Sequence, residues 1–300
     1  MSVFLRFKKW TILSLGALGG TALFYYNKYS DCESSYVLNS WTTNFTPSVK
    51  WDHNWDKRDP KSLVKPVKII NEVDENKYNE EFAAKRSKHI RHLILIRHGQ
   101  YNTAGKSDSE KVLTELGRRQ AEITGKRLAE LDVAYSLIVR STLTRAQETS
   151  KIIEMSLPNV PTQDDSLLAE GAPVPPEPPI GNWMSERHDG PRIEAAFRKY
   201  FHRADPQQQQ DTVTILVCHA NVIRYFVCRA LQFPPEAWMR MSLNHGSITW
   251  LMIYPNGRVT MVCLGDTGHM PPKNITNFSE ETKAIVNVFI YKSIYIIMYM

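Results

Sequence analysis

The chain has 300 residues, 42% of them hydrophobic and 10% aromatic, which is enough to bury a sizeable core in one large domain with appendages. Its net charge of +6 is spread along the chain without a long Lys/Arg block, so nucleic acid is excluded as an expected partner. Cys32, Cys218, Cys228 and Cys263 form no CxxC pair and no metal-ligand spacing, so neither a disulfide framework nor a zinc site is expected.

Residues 10–26, WTILSLGALGGTALFYY, run for 17 positions without a charge, behind Arg6, Lys8 and Lys9. That approaches the roughly 20 residues needed to span a bilayer, with aromatic residues at both ends as interface anchors. A single-pass N-terminal anchor or targeting segment over residues 1–30 is the expectation, and a cleaved secretory signal is its rival. Gly16 and Gly20 supply a G-x-x-x-G spacing that lets two such helices approach closely.

Residues 31–88 are polar and carry Pro47, Pro60 and Pro66 with little apolar periodicity, so they read as a linker. Within them residues 51–60, WDHNWDKRDP, set Trp51 and Trp55 among Asp52, Asn54 and Asp56, where an exposed linker gains nothing from indoles. Local capping of the following domain explains them, as does insertion into another subunit.

The domain begins with residues 92–102, HLILIRHGQYN. Leu93, Ile94, Leu95 and Ile96 have the length and apolarity of a fully buried parallel strand. Arg97 and His98 then emerge at its carboxyl end, where an open α/β sheet places its chemistry, and Gly99 permits a sharp turn. Residues 113–131 predict an amphipathic helix with Thr114 as N-cap, residues 137–139 a second strand, and residues 143–155 a second helix. The Pro-rich run 158–191 reads as one long loop, of the kind that is usually functional. A helix is expected over residues 192–203, a buried strand over 213–217 and a helix from Asn221. A hairpin turning at Asn256-Gly257 closes the series. Alternating strands and helices predict a mostly parallel sheet with helices on both faces.

Four features carry chemistry. His98 and His219 each follow a buried strand, so both could share one crevice. Arg145 opens a helix after a strand in RSTLTRAQET, where guanidinium and backbone N–H groups favour a phosphate. Glu170-Gly171 opens the long loop in LLAEGAPVPPEPP. Singly, each has an ordinary structural explanation.

Together, Arg-His-Gly after the first strand, Ser-x-x-x-Arg-Ala opening a helix and a second strand-terminal histidine resemble the histidine phosphatase superfamily. Within it, the match is closest to the mitochondrial serine/threonine protein phosphatases of the phosphoglycerate mutase family. GAPVPPEPP, RIEAAFRKYFHRAD, CHANVIRYFVCRALQFPPEAW, NGRV and LGDTGHMPP carry that likeness. The resemblance divides the chain into residues 1–30, the linker 31–88, a phosphoglycerate mutase-like phosphatase domain over 89–273, and a divergent tail over 274–300. It implies that His98 becomes phosphorylated, that Glu170 is the general acid and later the base, and that Arg97, Arg145 and His219 form a cationic clamp. It implies no cofactor and no metal. It also implies that Trp51, Asp52, Asn54, Trp55 and Asp56 mediate homo-oligomer formation, and that residues 10–26 anchor the chain in an outer or inner mitochondrial membrane. Implied substrates are phosphoserine and phosphothreonine proteins of mitochondrial quality control and stress or cell-death signalling, stress-activated kinases such as apoptosis signal-regulating kinase among them.

Departures accompany the likeness. Ala169 stands where the family commonly has arginine before the acid, and residues 183–190 are shorter than usual. The acidic docking motif of vertebrate relatives is not evident in NEVDENKYNEE, and the sequons at Asn274 and Asn277 have no meaning in a mitochondrial enzyme. A small-metabolite mutase or phosphatase is the rival within the superfamily; mutases continue Arg-His-Gly with Ser and a Trp-Asn pair, where this chain has Gln100, Tyr101 and Asn102. A membrane-tethered scaffold with a weakly active domain is the rival outside enzymes.

Overall fold

A computed structural model describes residues 49–65, 72–179 and 189–277. The expected membrane segment, most of the shortened loop and residues 278–300 lie outside them, and no helix among the described residues is long and apolar enough to cross a membrane. The chain divides into two units, Met1–Trp51 and Asp52–Met300, and the second holds the sheet.

The four consecutive aliphatics work as a strand because both faces are covered. β1 (Arg91–Arg97) is central in a six-stranded sheet ordered β3-β2-β4-β1-β5-β6, and Leu93 to Ile96 are all fully buried. Side chains at this depth each stabilise by about 1.5–3 kcal/mol relative to exposure. β2 (Leu137–Arg140), β3 (Thr162–Asp164) and β4 (Thr212–Cys218) run parallel with β1. β5 (Ile248–Ile253) pairs with β1 antiparallel, and β6 (Val259–Asp266) returns antiparallel to β5. The sheet is therefore mixed: four parallel strands flanked by the hairpin, whose turn places Gly257 at φ +83°. A two-stranded hairpin must contribute one strand of each direction, so the mostly parallel sheet carries one reversed strand, β5.

Two short helices precede the sheet, α1 (Pro60–Leu63) and α2 (Glu72–Lys85), and four more pack around it: α3 (Glu115–Glu130), α4 (Thr144–Glu154), α5 (Gly190–Tyr200) and α6 (Ala220–Ala230). Ile94, Ile96, Ile138, Ile215 and Val217 form one core cluster with Leu128 of α3 and with Ala146 and Ile153 of α4. Leu93 and Leu95 alternate to the other face, where α6 lies along β1 and packs on α5. Thr114 caps α3 as expected, accepting from the N–H of Gly117 at 3.0 Å.

Two segments differ from the sequence reading. The stretch read as a linker contains the 14-residue α2, whose residues are largely exposed and polar, so it has no apolar stripe to betray it. The long Pro-rich loop contains β3 and a 3-10 turn at Ser166–Leu168, both too short to show a period.

Candidate active site

Strand register brings the two histidines together. Arg97 pairs with Cys218 across β1 and β4, so His98 and His219 leave adjacent strand ends side by side, their ring centroids 5.1 Å apart. On the other side of β4, Arg140 pairs with Val217, which sets Ser141 level with this edge; its hydroxyl meets His219 Nε2 at 2.8 Å. All three strands thus deliver their next residue to one crevice.

The His98 loop is held from several directions. Gly99 N–H donates to the Thr149 hydroxyl of α4 at 3.0 Å, and Gln100 N–H donates to the Gln120 side chain of α3 at 2.8 Å. A side chain at Gly99 or at Gly117 would collide with the facing backbone, so this glycine pair lets α3 press directly against the loop. His98 is buried, with Nδ1 at 2.8 Å from the Gly99 carbonyl and Nε2 accepting from Arg145 Nε at 3.2 Å. A carbonyl only accepts and a guanidinium only donates, so Nδ1 carries the proton and Nε2 keeps its lone pair. Burial, then the positive surroundings of His219, Arg145, Arg97 and His245, hold this imidazole well below the usual histidine range.

Arg145 is buried in the first turn of α4, pairs with Asp108 at 3.6 Å and lies over the Tyr101 ring. Arg97 donates through Nη1 to the Leu243 carbonyl at 2.5 Å and the Asn277 carbonyl at 3.1 Å, and through Nη2 to His245 Nε2 at 2.9 Å. Burial lowers its pKa to about 10, against the opposing effect of Glu170. Glu170 sits just after the 3-10 turn with 27% of its side chain exposed, Oε2 at 4.0 Å from His219 Nδ1. Burial raises its pKa above the ordinary 4.5, partly offset by Arg145 and Arg97. Burial also depresses His219, with Arg145, Arg97 and Arg192 adding to it.

Four buried polar atoms here have no hydrogen-bond partner: Arg97 Nε, His219 Nδ1, Glu170 Oε1 and Arg224 Nε. Buried polar atoms are usually paired, and leaving them bare costs roughly 1–3 kcal/mol each. Donors and acceptors bare in one crevice fit a polar ligand. Ligand atoms of His98, Glu170 and His219 lie within 4.8 Å of one another, close enough to hold a cation. Two guanidiniums border the same space, however, and favour an anion there.

All five expected residues, Arg97, His98, Arg145, Glu170 and His219, therefore converge. A family model described as the histidine phosphatase superfamily, branch 1, matches residues 93–173 and 176–267, a span that includes all five. The chain belongs to the histidine phosphatase superfamily. It is 51% identical over 279 residues to "Serine/threonine-protein phosphatase Pgam5, mitochondrial" of Drosophila pseudoobscura pseudoobscura, covering 90% of this chain and 96% of that protein. The same-named protein of Drosophila mojavensis is 47% identical over 289 residues, 93% of this chain and 100% of that one. Among solved structures, phosphoglycerate mutase from Plasmodium falciparum aligns at 32% identity and a TM-score of 0.45, over 64% of this chain and all of that one.

Sequence reasoning passed over several residues of this histidine phosphatase site. His245 lies with its ring tilted 5.7 Å from that of His98 and receives the Arg97 bond, yet in the sequence it is a lone His-Gly pair far from any motif. Ser141 begins the Ser-x-x-x-Arg motif but had no role until β2 placed it against His219. Arg192 of α5 lies close enough to His219, and Arg224 of α6 to Arg97 and Glu170, to act on their charge, and both read as ordinary helix cations in the sequence.

The Trp-Asp segment is not part of this site. Trp55 donates its indole N–H to the Gly257 carbonyl at 2.8 Å and its ring lies 5.9 Å from Phe197. The Asp56 side chain is fully buried against Arg203, with Oδ1 at 2.9 Å from Nη2. Asp52 exchanges two hydrogen bonds with Gln232, and Asn54 caps the turn by accepting from Asp59 N–H at 3.0 Å. Trp51 is half-buried. The structure thus gives Trp55 and Asp56 seats on their own domain, as local capping requires.

Proposed function

We propose that this chain is a protein serine/threonine phosphatase that passes the phosphoryl group through His98. The observation that carries this reading is the Arg145 Nε to His98 Nε2 contact, which fixes the tautomer and aims a cation at the nucleophilic nitrogen. The names of its Drosophila relatives support the phosphoprotein substrate class.

In the first step the Nε2 lone pair attacks phosphorus while the seryl or threonyl oxygen leaves. That oxygen is a poor leaving group, and Glu170, its carboxyl biased toward the protonated form, gives it a proton. Charge on the equatorial oxygens is met by Arg97, Arg145 and His219, since phosphoryl transfer is mostly positioning and electrostatics. In the second step the Glu170 carboxylate takes a proton from water, which attacks the phosphohistidine, frees inorganic phosphate and restores His98. The side chains supply the charge neutralisation, so no metal enters these steps.

The mitochondrial setting is inferred from the relatives' names, and the uncharged run 10–26 supports a single-pass anchor. Assembly into a homo-oligomer through the Trp-Asp segment is part of the same reading, with the charged rim of Asp52, Lys57 and Arg58 to set register. The test of substrate class is turnover of phosphoserine peptides against 3-phosphoglycerate. Preference for the peptides is expected; preference for the small acid would assign the chain to metabolite chemistry.

A further inference from the structure

Glu170 must present its carboxyl to a leaving oxygen from a loop with no regular secondary structure. Something has to hold that loop. Ala169, the residue before the acid, has no polar side chain for the purpose. Arg192, in the first turn of α5, does: Nη1 donates to the carbonyls of Leu167 at 2.9 Å and Ala169 at 2.7 Å, and Nη2 donates to the Glu170 carbonyl at 3.2 Å.

Asp189 completes the arrangement. Its Oδ1 receives Arg192 Nη2 at 3.0 Å, and its Oδ2 accepts from the Ala172 N–H at 3.2 Å, two residues beyond the acid. A Cβ on Gly171 would lie 2.7 Å from Arg192 Nη2 and would strike the Asp189 carboxyl as well, so the loop closes on the pair without room for a side chain. From the other side Asn221, in the first turn of α6, donates through Nδ2 to the Gly171 carbonyl at 3.2 Å. A cation in the first turn of a helix opposes the helix dipole, so helix stability does not explain Arg192. Four hydrogen bonds to one loop and its brace do.

We infer that Arg192, braced by Asp189, is the positioning residue for the proton donor: it fixes the backbone on both sides of Glu170 so that the carboxyl meets the leaving oxygen. This rests on the reading of Glu170 as general acid. It predicts that losing Arg192 damages only the chemistry that needs the acid. A residue that merely held the domain together would affect every substrate alike.

The experiment compares Arg192→Met, Arg192→Lys, Glu170→Gln and the double variant Glu170→Gln/Arg192→Met, using kcat/KM for a phosphoserine peptide and for p-nitrophenyl phosphate. Displacing a catalytic group by about 1 Å costs on the order of 100-fold. Arg192→Met should therefore lose on the order of 10- to 100-fold on the peptide and under about 3-fold on the aryl phosphate, whose leaving group needs no proton. Arg192→Lys should recover part of the peptide activity, because an ammonium reaches some of the same carbonyls; it also decides the matter should Arg192→Met melt early. In the Glu170→Gln background, Arg192→Met should cost nothing more on the peptide. Equal losses on both substrates, or losses that multiply in the double variant, would overturn the inference while leaving Glu170 as the acid. If Glu170→Gln itself slows both substrates equally, the acid assignment fails, and the inference falls with it.

Discussion

Arg145 donates its Nε–H to Nε2 of His98 at 3.2 Å, while the opposite nitrogen of that imidazole faces the Gly99 carbonyl at 2.8 Å. The arginine thus meets the histidine at the nitrogen that the proposed mechanism makes the nucleophile. Arg145→Gln should cost roughly 100- to 1,000-fold in kcat/KM, the range for removing one preorganised transition-state donor. The loss should be the same for phosphopeptides and p-nitrophenyl phosphate, because every substrate brings the same phosphoryl group. A loss confined to phosphopeptides would show that Arg145 reads the peptide instead.

Glu170 should behave in the opposite way. Replacing it by Gln should slow kcat/KM on phosphoserine peptides far more than on the aryl ester, since a nitrophenolate leaves unprotonated. Parallel steady-state assays on the two substrates decide this. Equal losses would show a structural role.

The pH dependence follows from the same burial. In the proposed mechanism His98 must be neutral, and its pKa is depressed, so the rising limb of activity should lie at low pH. Glu170 must be protonated, and its pKa is raised from 4.5, so the phosphopeptide rate falls as pH climbs through that raised value. For p-nitrophenyl phosphate the falling limb should vanish. Stability follows the histidines and rises with pH, opposite to the Glu170 limb. Unfolded histidines take up protons near their ordinary 6.5, whereas folded His98, His219 and His202 (lowered to about 4) resist them. The unfolded state then binds more protons, so the melting temperature should drop as pH falls below 6.5. Kinetic profiles and thermal melts across pH measure both effects.

How much of this could be read from residues depended on period and burial. β1 and β4 were legible because four and more consecutive apolar residues leave few alternatives, and Thr114 marked the start of α3 by its capping chemistry. The antiparallel docking of β5 beside β1 was not legible, because strand direction is a tertiary choice that leaves no local pattern. α2 was hidden by its polar face, and β3 by its length of three residues. Within the site, residues that follow strands or open helices were identifiable. His245 and Arg192 were not, since they reach His98 and the Glu170 loop only after the hairpin and α5 have packed.

The Trp-Asp segment separates stability from assembly. The side chains of Asp56 and Arg203 are 0% and 2% exposed, so Asp56→Ala strands a buried guanidinium and should cost about 3–5 kcal/mol by denaturant unfolding. Trp51→Ala leaves that ion pair and the Trp55 seat intact. If the segment also joins subunits, particles of the Trp51→Ala variant should be smaller by light scattering while its melting temperature stays close to that of the parent. An unchanged mass would confine the segment to capping its own domain.

In the proposed mechanism the phosphoryl group rests on His98 between two steps. Glu170→Gln offers the direct view: an aryl phosphate can still load the histidine without an acid, but no carboxylate then activates the water that clears it. Mixed with p-nitrophenyl phosphate and quenched in alkali, where phosphohistidine survives, the Glu170→Gln protein should give a burst of nitrophenolate and a phosphorylated peptide mapping to His98 by mass spectrometry. The added substitution His98→Ala should abolish both. A phosphoryl group found on another residue, or turnover that persists without His98, would rule out a phosphohistidine at this position.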